Sequence, residues 1–348
     1  MEFLFEYGLY LAKAVTLLVS VLLFVIVVIG LSQRNQPTEG GHIEVKSVNE
    51  ALEGLTSHLK QLVLNPVERK LAEKTDKKRL KDEIKAQKKQ AKANKEGDVE
   101  SRNRVFVVDF EGDIQASAVS SLREEVTAIL AVASETDEVV IRLESQGGVV
   151  HGYGLAASQL SRIVSKNIPL TVAVDKVAAS GGYMMACIAN QIIAAPFAIL
   201  GSIGVAAQIP NFYRLLKNND VDVEVLTAGE HKRTLTMWGE NTDKGREKFV
   251  EELEDVHTLF KSFVAENRPA VNIETVSTGE AWYGTRALEQ DLVDKLMTSD
   301  EFITEKCAHA DVFVVKFVEH KNKIDRVLDR FTGVLNSLGF TSLHQFRV

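Results

Sequence analysis

The sequence predicts an α/β domain built on a mostly parallel sheet, and three observations carry that reading. Short apolar runs at 105–110 (VFVVDF), 139–143 (VVIRL), 170–174 (LTVAV) and 191–195 (QIIAA) read as buried strands. Helical segments of about a dozen residues separate several of them, which implies βαβ crossovers. Clusters of glycine and serine directly follow apolar runs, where parallel sheets carry ligand sites.

The 348 residues, 45% hydrophobic and 26% charged, suffice for one ordinary domain with extra segments. They divide into a short tail (1–9), an apolar segment (10–31), an amphipathic and basic stretch (32–100), the α/β domain (101–320) and a helical tail (321–348). The two cysteines, Cys187 and Cys307, match no metal spacing and no disulfide framework.

Residues 10–31 are apolar apart from Lys13, Thr16 and Ser20, and 22 residues span a bilayer. The acidic start (Glu2, Glu6) and long core distinguish an uncleaved anchor from a signal peptide. Val45, Val48, Leu52, Leu55, Leu59 and Leu62 then recur at spacings of three and four, an a/d seam that Pro66 ends. Such a seam fits a self-association helix or a helix lying on its own domain. Residues 69–96 hold 12 Lys or Arg against 5 Asp or Glu in a chain of net charge −7. No aromatic residues interleave with them, so the run reads as a solvated tether suited to anionic lipid, with no nucleic-acid partner. Arg34 and Lys46 after the span, and no basic residue before it, favour a cytoplasmic C-terminal side.

Within the domain, Val119, Leu122, Val126, Ile129 and Leu130 form a helical stripe, and 149–163 reads as a second helix. Residues 169–177 predict one strand leading into Ala178-Ala179-Ser180-Gly181-Gly182-Tyr183, with a small-residue helix after it. Residues 221–226 (VDVEVL) and 312–318 predict further strands, and 244–263 a long polar helix. The apolar stretch 183–209 is broken by Asn190, Gln191, Pro196, Ser202 and Gln208, which favours two core elements over a second membrane span.

A serine among small residues at a strand–helix junction suits an exposed nucleophile, and free N–H groups at the helix start suit an oxyanion. Close packing of elements would use the same residues. Three further clusters point to the same chemistry: Ser145-Gln146-Gly147-Gly148, Gly201 to Val205, and Gly229-Glu230-His231-Lys232-Arg233. Each alone reads equally well as a turn or a solvated loop. No phosphate loop and no HExxH motif occurs.

Together with Gly279-Glu280-Ala281-Trp282, Ala287 and Leu292-Val293-Asp294, these motifs resemble the signal peptide peptidase A family of membrane-bound serine proteases over residues 102 to 300. The resemblance implies a crotonase/Clp protease-like fold of repeated ββα units, preceded by one N-terminal transmembrane helix. It implies a Ser/Lys dyad with Ser180 as nucleophile and Lys232 as general base. Ser202 matches the serine that hydrogen-bonds the lysine, and Gly148 the oxyanion-hole glycine, with the Gly181 N–H as second donor. It further implies peptide substrates, no cofactor, no metal, an inner-membrane location facing the periplasm, and rings whose clefts are shared between subunits. Gln146 stands where the family has proline, and Asp291 where it has glycine.

The chemistry agrees, because a serine hydroxyl needs a base and a lysine serves only when neutral. Its pKa must therefore fall from about 10.4 by desolvation. The competing mechanism is a Ser/His/Asp triad using His151 or His231 with Asp175 or Asp109. The competing functions are a non-proteolytic membrane scaffold and an acyl-CoA enzyme, neither of which needs the Ser180/Lys232 pair.

Overall fold

A computed structural model describes residues 5–18, 20, 40–71, 74, 75, 78, 81, 85 and 102–319. One compact unit, Ile43–Phe317, carries the sheet and the site; the other comprises Met1–His42 and Val318–Val348. In the latter, residues 5–18 are helical. Among the described residues no helix is long and apolar enough to cross a membrane. Most of the predicted span beyond residue 18, most of the basic run and the whole C-terminal tail lie outside the described residues.

In chain order the elements begin with β1 (Gly41–Ser47), α1 (Val48–Val63), β2 (Arg104–Gly112), α2 (Val119–Val132), β3 (Glu138–Ser145) and α3 (Val150–Val164). Then come β4 (Leu170–Val174), β5 (Val177–Ala179), α4 (Gly181–Ala186), β6 (Gln191–Ala194), β7 (Ile199–Gly201) and α5 (Tyr213–Lys217). The chain closes with α6 (Asp243–Asn267), α7 (Ile273–Val276), β8 (Ala281–Tyr283), α8 (Gly284–Glu289), β9 (Lys295–Leu296), α9 (Ser299–Cys307) and β10 (Asp311–Glu319).

The strands form one mixed sheet of order β1-β10-β2-β3-β4-β6-β9. A branch leaves β3 through β5 and β7 to β8. β2, β3, β4, β6, β9 and β10 pair in parallel, as βαβ crossovers require. Alternation along the strands separates two cores. Phe106, Val108, Val139, Ile141 and Val172 face α2, α3 and α4, while Val105, Val107, Val140, Ala173 and Ile193 face Phe302 and Ile303 of α9. The predicted stripe on α2 is buried at Val119, Leu122, Val126 and Ile129.

Three expectations need correction. Residues 169–177 are not one strand: the chain breaks at exposed Asp175 and Lys176, and β5 leaves the β4–β6 ladder to pair with β7. Two polar anchors make the break. Asp175 accepts from the Ser299 N–H and hydroxyl at 2.8 and 2.5 Å, and Lys176 pairs with Glu144 at 2.8 Å. Residues 221–226 form no strand, because they find no ladder partner among the described residues, and Val221, Val223, Val225 and Leu226 stay exposed. The a/d seam begins later than its spacing suggested, since Val45 belongs to β1 and Ser47 caps α1 by accepting from the Glu50 N–H. The stripe is packed on its own domain only at its start, where Val48 meets the second core and Leu52 is half-buried; Leu55, Leu59 and Leu62 are exposed.

Arg104 and Asp137 staple the starts of β2 and β3, the strands that lead to the site. The Asp137 carboxylate accepts from the Arg104 N–H and guanidinium and from the Ser134 N–H and hydroxyl at 2.7–3.1 Å. Burial pushes its pKa up, but these donors outweigh burial and hold it at about 2. The folded value lies below the unfolded one of about 3.9. The staple therefore stabilises the fold above about pH 4 and is lost as pH falls towards 2. Asp137→Asn should cost about 2 kcal/mol at neutral pH and flatten the acid limb of the stability profile, read by urea denaturation between pH 2 and 7.

Candidate active site

Three neighbouring parallel strands end side by side. β3, β5 and β7 are in register through Ser145↔Ala178 and Ala179↔Gly201. The residues that follow each strand, Gln146-Gly147-Gly148, Ser180-Gly181 and Ser202, are brought together around one cavity of about 600 Å³. A parallel sheet opens such a crevice at its carboxyl edge because the chain must turn away there. Met184, Val150, Val205 and Phe260 supply apolar wall.

Ser180 is the N-cap of α4 with φ 51° and ψ −118°, a conformation costly for a residue with a Cβ. The surroundings hold it there: its N–H donates to the Gly201 carbonyl at 2.7 Å, and its carbonyl accepts from the Met184 N–H at 2.9 Å. The side chain cannot then follow the strand or the helix, and lines the cavity. Its Oγ has no hydrogen-bond partner among the described residues. Glycine is obligatory at the two positions that follow. A Cβ on Gly181 would lie 2.3 Å from the Tyr153 ring, and one on Gly182 2.6 Å from the Ser145 carbonyl. Gly147, with φ 87°, lies so close that an added Cβ would meet Cβ of Ser180 at 2.8 Å.

The turn after β3 is held without the family's proline. The Gly147 N–H donates to Ser145 Oγ at 3.0 Å, and the Val149 N–H to the Ile114 carbonyl at 2.9 Å. A Cβ on Gly148 would fall 2.1 Å from that carbonyl. The N–H groups of Gly148 and Gly181 find no acceptor among the described residues, and both residues line the cavity with Ser180. They are donors without a partner where negative charge would develop during attack on a carbonyl.

Ser202, φ 50°, donates its hydroxyl to the Gly279 carbonyl at 3.4 Å and lines the same cavity. Lys232 does not: it is exposed, on a loop that follows the unpaired segment 221–226. Ser180 and Lys232 share no hydrogen bond within one chain. The residues of the competing triad fare no better. His151 is exposed on α3, and His231 lies 3.9 Å from Glu230. Asp109 pairs with Arg142, and Asp175 is spent on Ser299. None of the four lines the cavity.

Sequence reasoning missed two residues. Tyr153, fully buried on α3, shares a 2.5 Å hydrogen bond with Ser145 Oγ and donates to the Asp113 carbonyl at 2.8 Å. Burial pushes its phenol pKa up, so it stays protonated. The second, His257 of α6, lines the cavity. Tyr153 reads in sequence as a core aromatic and His257 as one polar residue among many on a charged helix. At the end of α4, Cys187 is fully buried against the Met184 carbonyl, and desolvation pushes its thiol up to about 12.

A strained hydroxyl beside two unpaired amide donors, at the carboxyl edge of a parallel sheet, is the geometry of acyl transfer; fold and site define an α/β serine hydrolase. Comparison with known proteins narrows the class. The sequence profile described as Peptidase family S49 N-terminal matches residues 2–160, and Peptidase family S49 matches residues 162–313. A protein of Haemophilus influenzae named "Probable protease SohB" is 49% identical over 93% of this chain and 92% of its own. One of the same name from Buchnera aphidicola of Acyrthosiphon pisum is 53% identical over 71% of this chain and 72% of its own. Among solved structures, a membrane-bound stomatin-specific protease with a substrate peptide aligns at TM-score 0.41 and 13% identity, over 67% of this chain and 99% of its own. The chain belongs to peptidase family S49; it is a serine protease, and its substrates are peptides.

Tyr153→Phe should leave the buried Ser145 hydroxyl and the Asp113 carbonyl without their shared partner, costing about 1–3 kcal/mol. The loosened Gly147–Gly148 turn should lower kcat about tenfold with little change in KM, read from urea denaturation and initial rates.

Proposed function

We propose that this protein is a membrane-anchored serine endopeptidase working through a Ser/Lys dyad completed between two copies of the chain. Ser180 attacks the peptide carbonyl, the Gly148 and Gly181 N–H groups receive the oxyanion, and water then hydrolyses the acyl-enzyme. Lys232 of a neighbouring copy is the general base, with Ser202 positioned to hold its amine. The observation that carries the reading is the Ser180 corner, where backbone strain is maintained and two donors stand ready beside the hydroxyl.

The exposure of Lys232 supports delivery from outside the chain. So does the apolar surface near it in sequence: Leu215, Val221, Val223, Val225, Leu226 and Trp238 are all exposed, more than a surface loop needs to present to water. Packed against the cavity mouth, Lys232 would lose solvent, and desolvation lowers an amine's pKa towards the neutral form that a base requires. Strand–strand–helix steps such as β4-β5-α4 fit the crotonase/Clp-like reading of the fold. Residues 10–31 are the proposed anchor, placing the enzyme in a bacterial inner membrane. Extended peptides, such as signal-peptide remnants or membrane-protein fragments, suit a cavity with apolar walls.

A fluorophosphonate probe should label Ser180 in the full chain in detergent, and Ser180→Ala should abolish labelling. Ser180→Ala and Lys232→Ala should each lower peptide cleavage at least 10³-fold. Mixed and reassembled in equal amounts, the two inactive proteins should recover roughly a quarter of the wild-type rate, the share of sites pairing an intact serine with an intact lysine. Absence of recovery rejects delivery between copies, and full activity of Lys232→Ala rejects the dyad.

A further inference from the structure

His257 belongs to the core-facing side of α6. Phe260 and Val264 on that side are buried, and Val256, His257 and Phe260 all line the Ser180 cavity. The helix is tied at both ends. Thr242 caps its start by accepting from the Gly245 N–H at 3.1 Å. At its end the Arg268 guanidinium grips the Asp294 carboxylate and the Asp291 carbonyl at 2.9–3.1 Å. On this wall the His257 Nε2 is shut off from solvent and has no hydrogen-bond partner among the described residues.

A buried polar atom left unpaired is costly, and native structures pair nearly all of them. Apolar packing alone does not account for the imidazole, since a phenyl ring would fill the same place without a stranded nitrogen. The missing partner must come from something that enters the cavity. The ring torsion χ2 is broad, so a small rotation turns Nε2 towards an occupant. An extended peptide offers backbone N–H and C=O groups along its length, and either satisfies a neutral imidazole.

We infer that His257 is a substrate-binding residue, hydrogen-bonding through Nε2 to the backbone of the peptide held at Ser180. The inference rests on the protease reading of the cavity and adds a contact that positions the chain to be cut. His257 takes no part in proton transfer; that role stays with the dyad.

The test separates binding from chemistry. In the full chain carrying Ser180→Ala, a fluorescent apolar decapeptide is titrated by anisotropy, so no turnover is required. His257→Phe keeps the packing and removes both nitrogens; His257→Gln restores an amide nitrogen near the Nε2 position. We expect His257→Phe to raise Kd about five- to tenfold and His257→Gln to recover most of it. In the chain with Ser180 intact, His257→Phe should raise KM by a similar factor with kcat within about twofold. Unchanged Kd in His257→Phe overturns the inference, as does equal weakening by Phe and Gln. A fall in kcat with KM unchanged overturns it too, by placing His257 in the chemistry. Failure of the fluorophosphonate to label Ser180 would instead reject the protease reading, which the anisotropy titration does not depend on.

Discussion

The site depends on one hydrogen bond, from the Ser180 N–H to the Gly201 carbonyl. β5 is only three residues long, and this bond extends its ladder with β7 by one step beyond Ala179. The chain must then reverse into α4 with no residue to spare, which leaves Ser180 at φ 51°. Strain of this kind, of order 1–3 kcal/mol, persists only where the neighbours over-determine it. Here they do: β3 and β7 flank β5, Tyr153 closes the space beside Gly181, and Ser145 closes that beside Gly182. The serine is thus presented by the sheet as much as by its own sequence neighbours.

Close approach of backbones also makes much of this corner legible in the sequence. Glycines at 147, 148, 181 and 182 mark places where backbones approach too closely for a Cβ, and such places show in sequence as clusters. The strands 105–110, 139–143 and 191–195 were legible because both faces of the sheet are covered, so they read as unbroken apolar runs. The two departures from the family pattern are also intelligible. Asp291 adopts φ 57°, a left-handed conformation that aspartate tolerates better than most residues. Gln146, where the resemblance implies proline, sits in a turn that Ser145 and Tyr153 already brace.

What sequence could not reveal was set by pairing across distance. The break after Val174 is fixed by Ser299, more than a hundred residues on, and local apolar character gave no hint of it. VDVEVL has the alternation of a half-buried strand, but alternation states only that one face seeks cover. Among the described residues that cover is absent. Lys232 was proposed from a motif, and in the proposed pairing of copies its surroundings belong to the partner surface, about which a single sequence says little. Tyr153 and His257 escaped for a simpler reason: an aromatic on a buried helix and a histidine on a charged one are each ordinary until a cavity is seen beside them.

Cys187 lies in the core at the end of α4, and Cys307 is half-buried, with its thiol also pushed up by desolvation. Thiolate, the reactive form, is scarce at both positions at neutral pH. Oxidants and alkylating agents therefore have little to seize, although sulfur sits within a few residues of the reacting oxygen. An enzyme so insulated is spared thiol chemistry in a reducing and in an oxidising compartment alike.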